Sequence, residues 1–311
     1  MKRIIILYYT QSGQLKDIVD SILKPFKVDE NIEIVYEKIT PELPYPFPWK
    51  ILSFFDSFPE SVSNIPCKIE PLKFDSNQRF DLIIFAYQIW YLNPSIPSIS
   101  ALYEQKFQFI VKNTPVITVI GCRNMWILAQ EKVKNLIYNA GGKLVGNIVL
   151  IDRSPNLIGI VTIVYWLIFG KKNRFLGIFP KPGVSKKDID NCQIFGETIL
   201  NDFKYNDFSQ LQNKLINQKA VKISSGLLIF EQRISRIFKI WAKFILKSGN
   251  AGDKKRIPKL YFFIVYLILA IIILAPVSTI ISAIYLLFRK NSTKKDVEYY
   301  SNVFLNFKKN N

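Results

Sequence analysis

The sequence predicts an α/β domain, a five-stranded parallel sheet alternating with helices, followed by a basic and apolar tail. Short β-branched and aliphatic runs recur at residues 4–7, 32–36, 80–86, 115–120 and 143–151. These are the near-continuous apolar runs of strands covered on both faces. Most of the stretches between them are long enough for helical crossovers, which parallel pairing requires. The tail is predicted by its charge: residues 221–311 carry 16 Lys or Arg against 4 Asp or Glu, most of the net charge of +18.

The first strand, Ile4 to Leu7, breaks into Thr10-Gln11-Ser12-Gly13-Gln14 and then enters a helix over about residues 14–25. Hydroxyls, an amide and a φ-permissive glycine stand where backbone N–H groups at a helix start lack partners. Such a turn suits a phosphate, because free N–H groups and the positive helix end both attract an anion. It has neither the Walker lysine nor the three-glycine dinucleotide fingerprint, which disfavours ATP and a Rossmann-type NAD site. The turn resembles the flavodoxin phosphate loop, hydroxyl-x-hydroxyl-Gly-x-hydroxyl. Thr10, Ser12 and Gly13 match it, and Leu15 departs at the last hydroxyl. An ordinary polar strand-to-helix turn is the alternative.

After the second strand, proline alternates with aromatic residues in Glu42-Leu-Pro-Tyr-Pro-Phe-Pro-Trp-Lys50, and Phe54, Phe55 and Phe58 follow. The spacing excludes a helix in the proline run and predicts a stiff extended segment. It reads either as a surface connection or as a hydrophobic lid over a cleft. The third strand, Phe80 to Ala86, ends in Tyr87-Gln88-Ile89-Trp90-Tyr91-Leu92. Ligands of open parallel sheets sit beyond the carboxyl ends of strands, so aromatic residues there can flank a flat ring. Aromatic core packing is the other reading.

A helix over 96–111 leads to the fourth strand and to Gly121-Cys122-Arg123-Asn124-Met125-Trp126. Gly121 allows close backbone approach to a ligand, and Arg123 can stabilise negative charge on a reduced ring or an enolate. Cys122 is a packing residue or a weak nucleophile candidate. Asp152 and Arg153 stand at the end of the fifth strand. Leu157 to Phe169 is apolar but too short to span a bilayer, and Ser185 caps a last domain helix ending near Phe203.

The sequence contains no histidine and only three scattered cysteines, Cys67, Cys122 and Cys192. Ser-His-Asp and Cys-His catalysis, imidazole-bound metals and a disulfide framework are thereby excluded, and no metal is expected. Met1-Lys2-Arg3 leads straight into a short strand, so no secretory signal is read and the domain is expected in the cytoplasm.

In the tail, Arg233, Arg236, Lys239, Lys243 and Lys247 fall three or four residues apart, with Ile234, Ile237, Phe238, Trp241, Phe244 and Ile245 between them. That pattern is a basic amphipathic helix suited to an anionic membrane surface, and the apolar neighbours argue against nucleic acid. Residues 260–288 follow without one formal charge, long enough to cross or enter a bilayer. Four basic residues precede the segment and four follow it closely, so orientation by charge is a tie. Pro276 allows a kinked single span or a re-entrant hairpin.

Together, Tyr8-Tyr-Thr-Gln-Ser-Gly-Gln14, Tyr87-Gln-Ile-Trp-Tyr-Leu92, Gly121-Cys-Arg-Asn-Met-Trp126 and Gly177-Ile-Phe-Pro-Lys-Pro-Gly-Val-Ser185 resemble the bacterial dialkylresorcinol condensing enzymes, over most of the chain. The resemblance implies a flavodoxin-like sheet of order 2-1-3-4-5 over residues 1–205, with insertions at 41–67 and 155–184. A linker and basic helix would follow over 206–250, then a membrane tail over 251–311. It implies FMN, held by Thr10 to Gln14, Tyr87 to Tyr91 and Gly121 to Asn124, and a pathway in which a ketosynthase joins two acyl chains. The chemistry expected is oxidation of a lipid-like cyclohexanedione to a resorcinol. Arg123 would hold the enolate, Tyr87, Tyr91 or Asp152 would act as base, and Trp49, Phe54, Phe55 and Phe58 would enclose alkyl tails. The site is expected at the cytoplasmic face of the inner membrane. A non-redox cyclase and a membrane-tethered electron carrier are the alternatives.

Overall fold

The structure, a computed structural model, describes residues 1–75, 77–274 and 290–305. Strand β1 (Lys2–Tyr8) leads through the polar turn into α1 (Gln14–Ile22), and β2 (Ile32–Lys38) returns beside it. An insertion carrying two short helices, α2 (Ile51–Asp56) and α3 (Phe58–Ser63), precedes β3 (Leu82–Trp90) and its hairpin partner β4 (Asn93–Pro94). Helices α4 (Ile96–Tyr103) and α5 (Gln105–Val111) lead to β5 (Pro115–Cys122), and α6 (Ile127–Asn139) leads to β6 (Lys143–Ile151). There follow α7 (Asn156–Phe169), α8 (Lys186–Asp190), α9 (Gln193–Tyr205), α10 (Leu211–Asn217), α11 (Ser225–Leu246), α12 (Ile257–Leu269) and α13 (Lys290–Ser301).

The five long strands are parallel in the order β2-β1-β3-β5-β6. With the short β4 set aside this is the flavodoxin-like order 2-1-3-4-5, in which the order of strand addition reverses between β1 and β3. Alternation along the strands divides the core. Ile5, Leu7, Ile83, Phe85 and Tyr87 face α4, α5 and α6. Ile4, Ile6, Ile84, Ala86 and Ile148 face α1, α9 and α10.

Several boundaries differ from the sequence expectation. β3 runs on to Trp90, so Tyr87 to Trp90 are strand and not loop. Its extension is paid back in hydrogen bonds by the hairpin with β4, and Tyr91 and Leu92 turn with φ of 48° and 66°. The expected helix over 96–111 breaks at Glu104, whose ψ of 134° is extended. Residues 206–220, expected as linker, belong to the α/β core. Leu211 and Leu215 are buried in it, and the Ala220 carbonyl accepts the Val149 N–H at the outer edge of β6.

The tail and the 41–67 insertion form a third core. Phe58 and Val62 of α3 pack with Ala242 and Ile245 of α11 and with Leu260 and Phe263 of α12. The rings of Phe58 and Phe263 stack at 4.1 Å. Arg256, fully buried, donates to both Glu60 oxygens at 2.9 and 3.0 Å and to the Asp56 carbonyl at 3.2 Å. Lys254–Ile273 is long and apolar enough to cross a membrane by length and composition. Pro276, on which a kink or hairpin would turn, lies outside the described residues. Beyond them α13 returns to the α/β domain: Tyr299 donates to Glu131 Oε2 at 2.7 Å, and Gln212 donates to the Ser301 carbonyl at 2.6 Å.

Candidate functional site

The site lies at the carboxyl ends of β1, β3 and β5, where the sheet changes direction. Gly13 opens α1 with a φ of 85° and open space on its Cβ side, so backbone conformation and not room selects glycine there. Gln14 and Leu15, in the first turn, have no carbonyl one turn back to receive their N–H groups. Thr10 Oγ1 is buried with no hydrogen-bond partner among the described residues. Two glutamines clasp this turn to its surroundings. Gln11 donates from its backbone N–H to Gln88 Oε1 at 2.8 Å and from Nε2 to the Tyr45 and Pro46 carbonyls, both at 2.9 Å. Gln14 exchanges two 2.9 Å hydrogen bonds with the backbone of Val184.

A cleft of about 170 Å³ adjoins Gln11, Ser12 and Gln14. Trp49, Phe54, Trp90, Tyr91 and Trp166 wall it, and Gly121, Cys122 and Arg123 close the far side. The walls are rigid because the aromatics brace one another: Trp90 meets Tyr45, Trp49 and Tyr9 edge to face at 5.0, 5.4 and 5.8 Å. The insertion is fixed to α7 by the Trp49 N–H, which donates to the Leu167 carbonyl at 2.8 Å.

Arg123 stands between this cleft and a larger chamber. It donates from Nη1 to Asn124 Oδ1 at 2.8 Å and from Nη2 to the Asn156 carbonyl, while Nε is buried without a partner among the described residues. Gly159 lets α7 come this close, since a Cβ there would lie 3.0 Å from both Nε and Nη2. Burial lowers the Arg123 pKa, opposed by the charge of Asp152. The chamber, about 530 Å³, is lined chiefly by α11 and α12 and shares Ile89, Tyr91 and Arg123 with the cleft, so the two cavities meet at these residues.

The expected site residues divide. Ser12, Gln88, Ile89, Trp90, Tyr91, Cys122 and Arg123 line the cleft, and Asn124 lines the chamber. Tyr87 is not brought to it: the ring is fully buried on the other face of the sheet, its hydroxyl donates to Gln130 Oε1 at 2.6 Å, and burial raises its pKa well above the usual phenol value. Asp152 braces a loop and does not face the cleft, accepting from Ser154 N–H at 2.8 Å and Gly183 N–H at 3.1 Å. Tyr91 lines both cavities, but its hydroxyl donates to the Phe54 carbonyl at 2.6 Å and burial raises its pKa well above the usual value. Burial also pushes the Cys122 thiol up, away from thiolate character. At Gly121 a Cβ would meet the side-chain tips of Leu15 and Ile18 of α1 at 3.2 Å, so α1 packs closely on this glycine. Phe55 and Phe58 belong to the third core.

Trp166 and Gly183 line the cleft too; neither is among the individual site residues expected from sequence, though both fall in the 155–184 insertion read as completing a cleft or touching the membrane. Trp166 is hidden in the apolar run of α7. Gly183, at φ 82°, brings its backbone against Gln14 and Trp166, where a Cβ would lie within 2.6 and 2.8 Å; the Pro-Lys-Pro-Gly run was its one signal.

No protein family and no curated protein sequence matches the chain. Among solved structures, a flavoprotein in complex with FMN from Lactobacillus acidophilus NCFM aligns at 15% identity over 48% of this chain and 93% of its own, with a TM-score of 0.37. A putative flavoprotein from Bacteroides uniformis ATCC 8492 aligns at 13% identity over 53% and 97%, with a TM-score of 0.36. A flavodoxin from the domain Archaea aligns at 12% identity over 66% and 99%, with a TM-score of 0.32. The flavodoxin-like assignment rests on this chain's own strand order and crossovers.

Proposed function

We propose that the chain is a membrane-associated, FMN-dependent oxidoreductase that aromatises a lipid-like cyclohexanedione to a dialkylresorcinol. The observation that carries the reading is the cleft at the switch point, which runs from Gln11, Ser12 and Gln14 of the polar turn, between aromatic walls, to Arg123. Its donors fit a phosphorylated flat ring. The Thr10 and Ser12 hydroxyls and the first-turn N–H groups of Gln14 and Leu15 would hold the phosphate at the positive end of α1, and Trp49 and Trp90 would flank the ring.

FMN, when bound, supplies a two-electron acceptor for hydride. The residues around it would bind and polarise the dione. A cyclic 1,3-dione is itself acidic, and Arg123 would hold it as the enolate at the far end of the cleft. Loss of hydride from a ring carbon of that enolate leaves a neutral dienone, which becomes the resorcinol by tautomerisation. The balance is one proton, lost on enolisation, and one hydride. No buried carboxylate need act as base, in keeping with the brace role of Asp152 and the high pKa of Tyr91.

Membrane association is supported by the 29 uncharged residues of 260–288 and by the outward faces of α7 and α12, where Leu157, Val164, Phe262 and Ile268 are exposed. A ketosynthase joining two β-ketoacyl chains would supply the dione. A non-redox cyclase is favoured by two details, Leu15 at the last hydroxyl position and the Gln11 N–H already given to Gln88. The visible spectrum of the detergent-purified protein, with the released chromophore identified by mass, tests the proposal. Stoichiometric FMN reduced by an alkylated cyclohexane-1,3-dione is expected. A colourless protein that refuses added FMN but still forms the ring from acyclic β-ketoacyl precursors would establish the cyclase, and flavin reduction indifferent to dione would establish an electron carrier.

A further inference from the structure

We infer that the 530 Å³ chamber between α11, α12 and the sheet is the binding site for the alkyl chain of an amphiphile whose acidic head reaches Arg123. The inference rests on the reading above for the identity of the head, and on separate observations for the tail. Ile234 and Ile237 of α11, Leu267 of α12, and Ala270 and Ile271 in the π-helical turn after it present an apolar lining. A cavity of that character does not hold ordered water and favours hydrocarbon. Where the chamber meets the cleft stands Arg123, whose guanidinium brings a positive charge to an anionic oxygen. An apolar space bordered by the cations Arg123 and Arg233 matches an anionic head on a hydrocarbon tail.

The aromatic insertion expected to enclose alkyl tails is committed elsewhere. Phe55 and Phe58 pack in the third core, and Trp49 and Phe54 wall the smaller cleft. The helices that line the chamber inside are also the ones that expose apolar side chains outside: Ile240 of α11 is 69% exposed and Ile268 of α12 is 52% exposed. A chain leaving a bilayer would therefore pass from lipid to chamber between two helices that are apolar on both sides. For such a transfer the hydrophobic gain is nearly balanced, so the head at Arg123 decides which amphiphile stays.

The test is photolabelling of the full chain in phospholipid vesicles with 2-dodecylcyclohexane-1,3-dione carrying a diazirine at the tail end. Adducts are expected on chamber residues such as Ile237 and Leu267, displaced by the unlabelled dione. The Ala270→Phe substitution, which fills the chamber, should abolish displaceable labelling with flavin content unchanged. Arg123→Gln should weaken displacement roughly ten- to hundred-fold, the loss of one charged hydrogen bond, and Arg123→Lys should restore part of it. Adducts confined to outward residues such as Phe262 and Ile268, or labelling indifferent to Ala270→Phe, would overturn the inference even if FMN is bound. Chamber labelling in a protein that takes no FMN would sustain it while removing the redox reading.

Discussion

Replacing Arg256 by Met should loosen the tail without unfolding the α/β domain. The guanidinium is fully buried and makes two parallel hydrogen bonds to Glu60, whose side chain is 13% exposed, and a further contact of 3.3 Å to Asp56. Asp56 would keep the Gly252 N–H, which donates to its Oδ2 at 2.7 Å, but Glu60 would lose its bidentate partner in an apolar setting. Breaking one side of such a buried pair costs about 3–5 kcal/mol, most of it from the charge left behind. Since about 1.4 kcal/mol is a factor of ten, local opening should become roughly 100- to 4,000-fold more frequent. Hydrogen exchange of the amides around Leu260 and Phe263 in detergent reads this opening directly. The double variant Arg256→Met, Glu60→Leu should recover most of the protection, because two apolar groups replace a matched pair. If the single variant costs less than about 1 kcal/mol, or if the double variant is worse than the single, the buried ion pair is not what joins tail to insertion.

Other outcomes follow from single residues. Thr10→Val should leave apo stability unchanged or slightly raised, because it removes an unsatisfied hydroxyl, and should weaken FMN binding about tenfold in a fluorescence titration. Glu231 of α11 is fully buried against the start of α6, where Leu128 N–H donates to Oε1 at 2.8 Å, and burial raises its pKa to about 7. A carboxyl whose pKa is raised by folding adds stability below its ordinary value and loses it as pH rises through about 7. Glu231→Gln should therefore melt higher than the parent at pH 8, by on the order of 3 kcal/mol, and show little difference near pH 4. Because α12 begins on the α/β domain and α13 returns to it, cysteines placed at Asn250 and Asn302 should be labelled by a membrane-impermeant thiol reagent from the same side of a vesicle. Labelling from opposite sides would require α13 to leave its contacts with Glu131 and Gln212.

Much of the fold was legible because parallel strands leave an unmistakable mark: Ile4 to Leu7 and Lys143 to Ile151 read as buried strands from composition alone. The polar turn between β1 and α1 was legible for a similarly local reason, a glycine with hydroxyls at a helix start. Residues whose meaning depends on which way a strand faces were not. Tyr87 and Gln88 are adjacent, yet one turns into the α6 face and the other clasps Gln11, and only the register of β3 decides between them. Asp152 carries the right chemistry for a base, but its lone pairs are spent on two backbone donors that lie 2 and 31 residues away. The chamber was illegible for a different reason. The stripe of α11 residues reads the same against a headgroup layer, a neighbouring helix or a hollow, and only the placement of α12 makes it a hollow.

The third core also bears on how such a chain can be inherited. Glu60 and Arg256 stand 196 residues apart, yet they and the stacked rings of Phe58 and Phe263 complete one interior. Phe58 and Val62 of the insertion share their packing with Ala242, Ile245, Leu260 and Phe263 of the tail. A gene ending before α11 would encode a sheet domain with Phe58 and Val62 bared to water, and a gene lacking the insertion would leave Arg256 with no counter-ion. A tail moved to a domain without the insertion would thus carry a buried Arg256 with neither Glu60 nor Asp56 to face it.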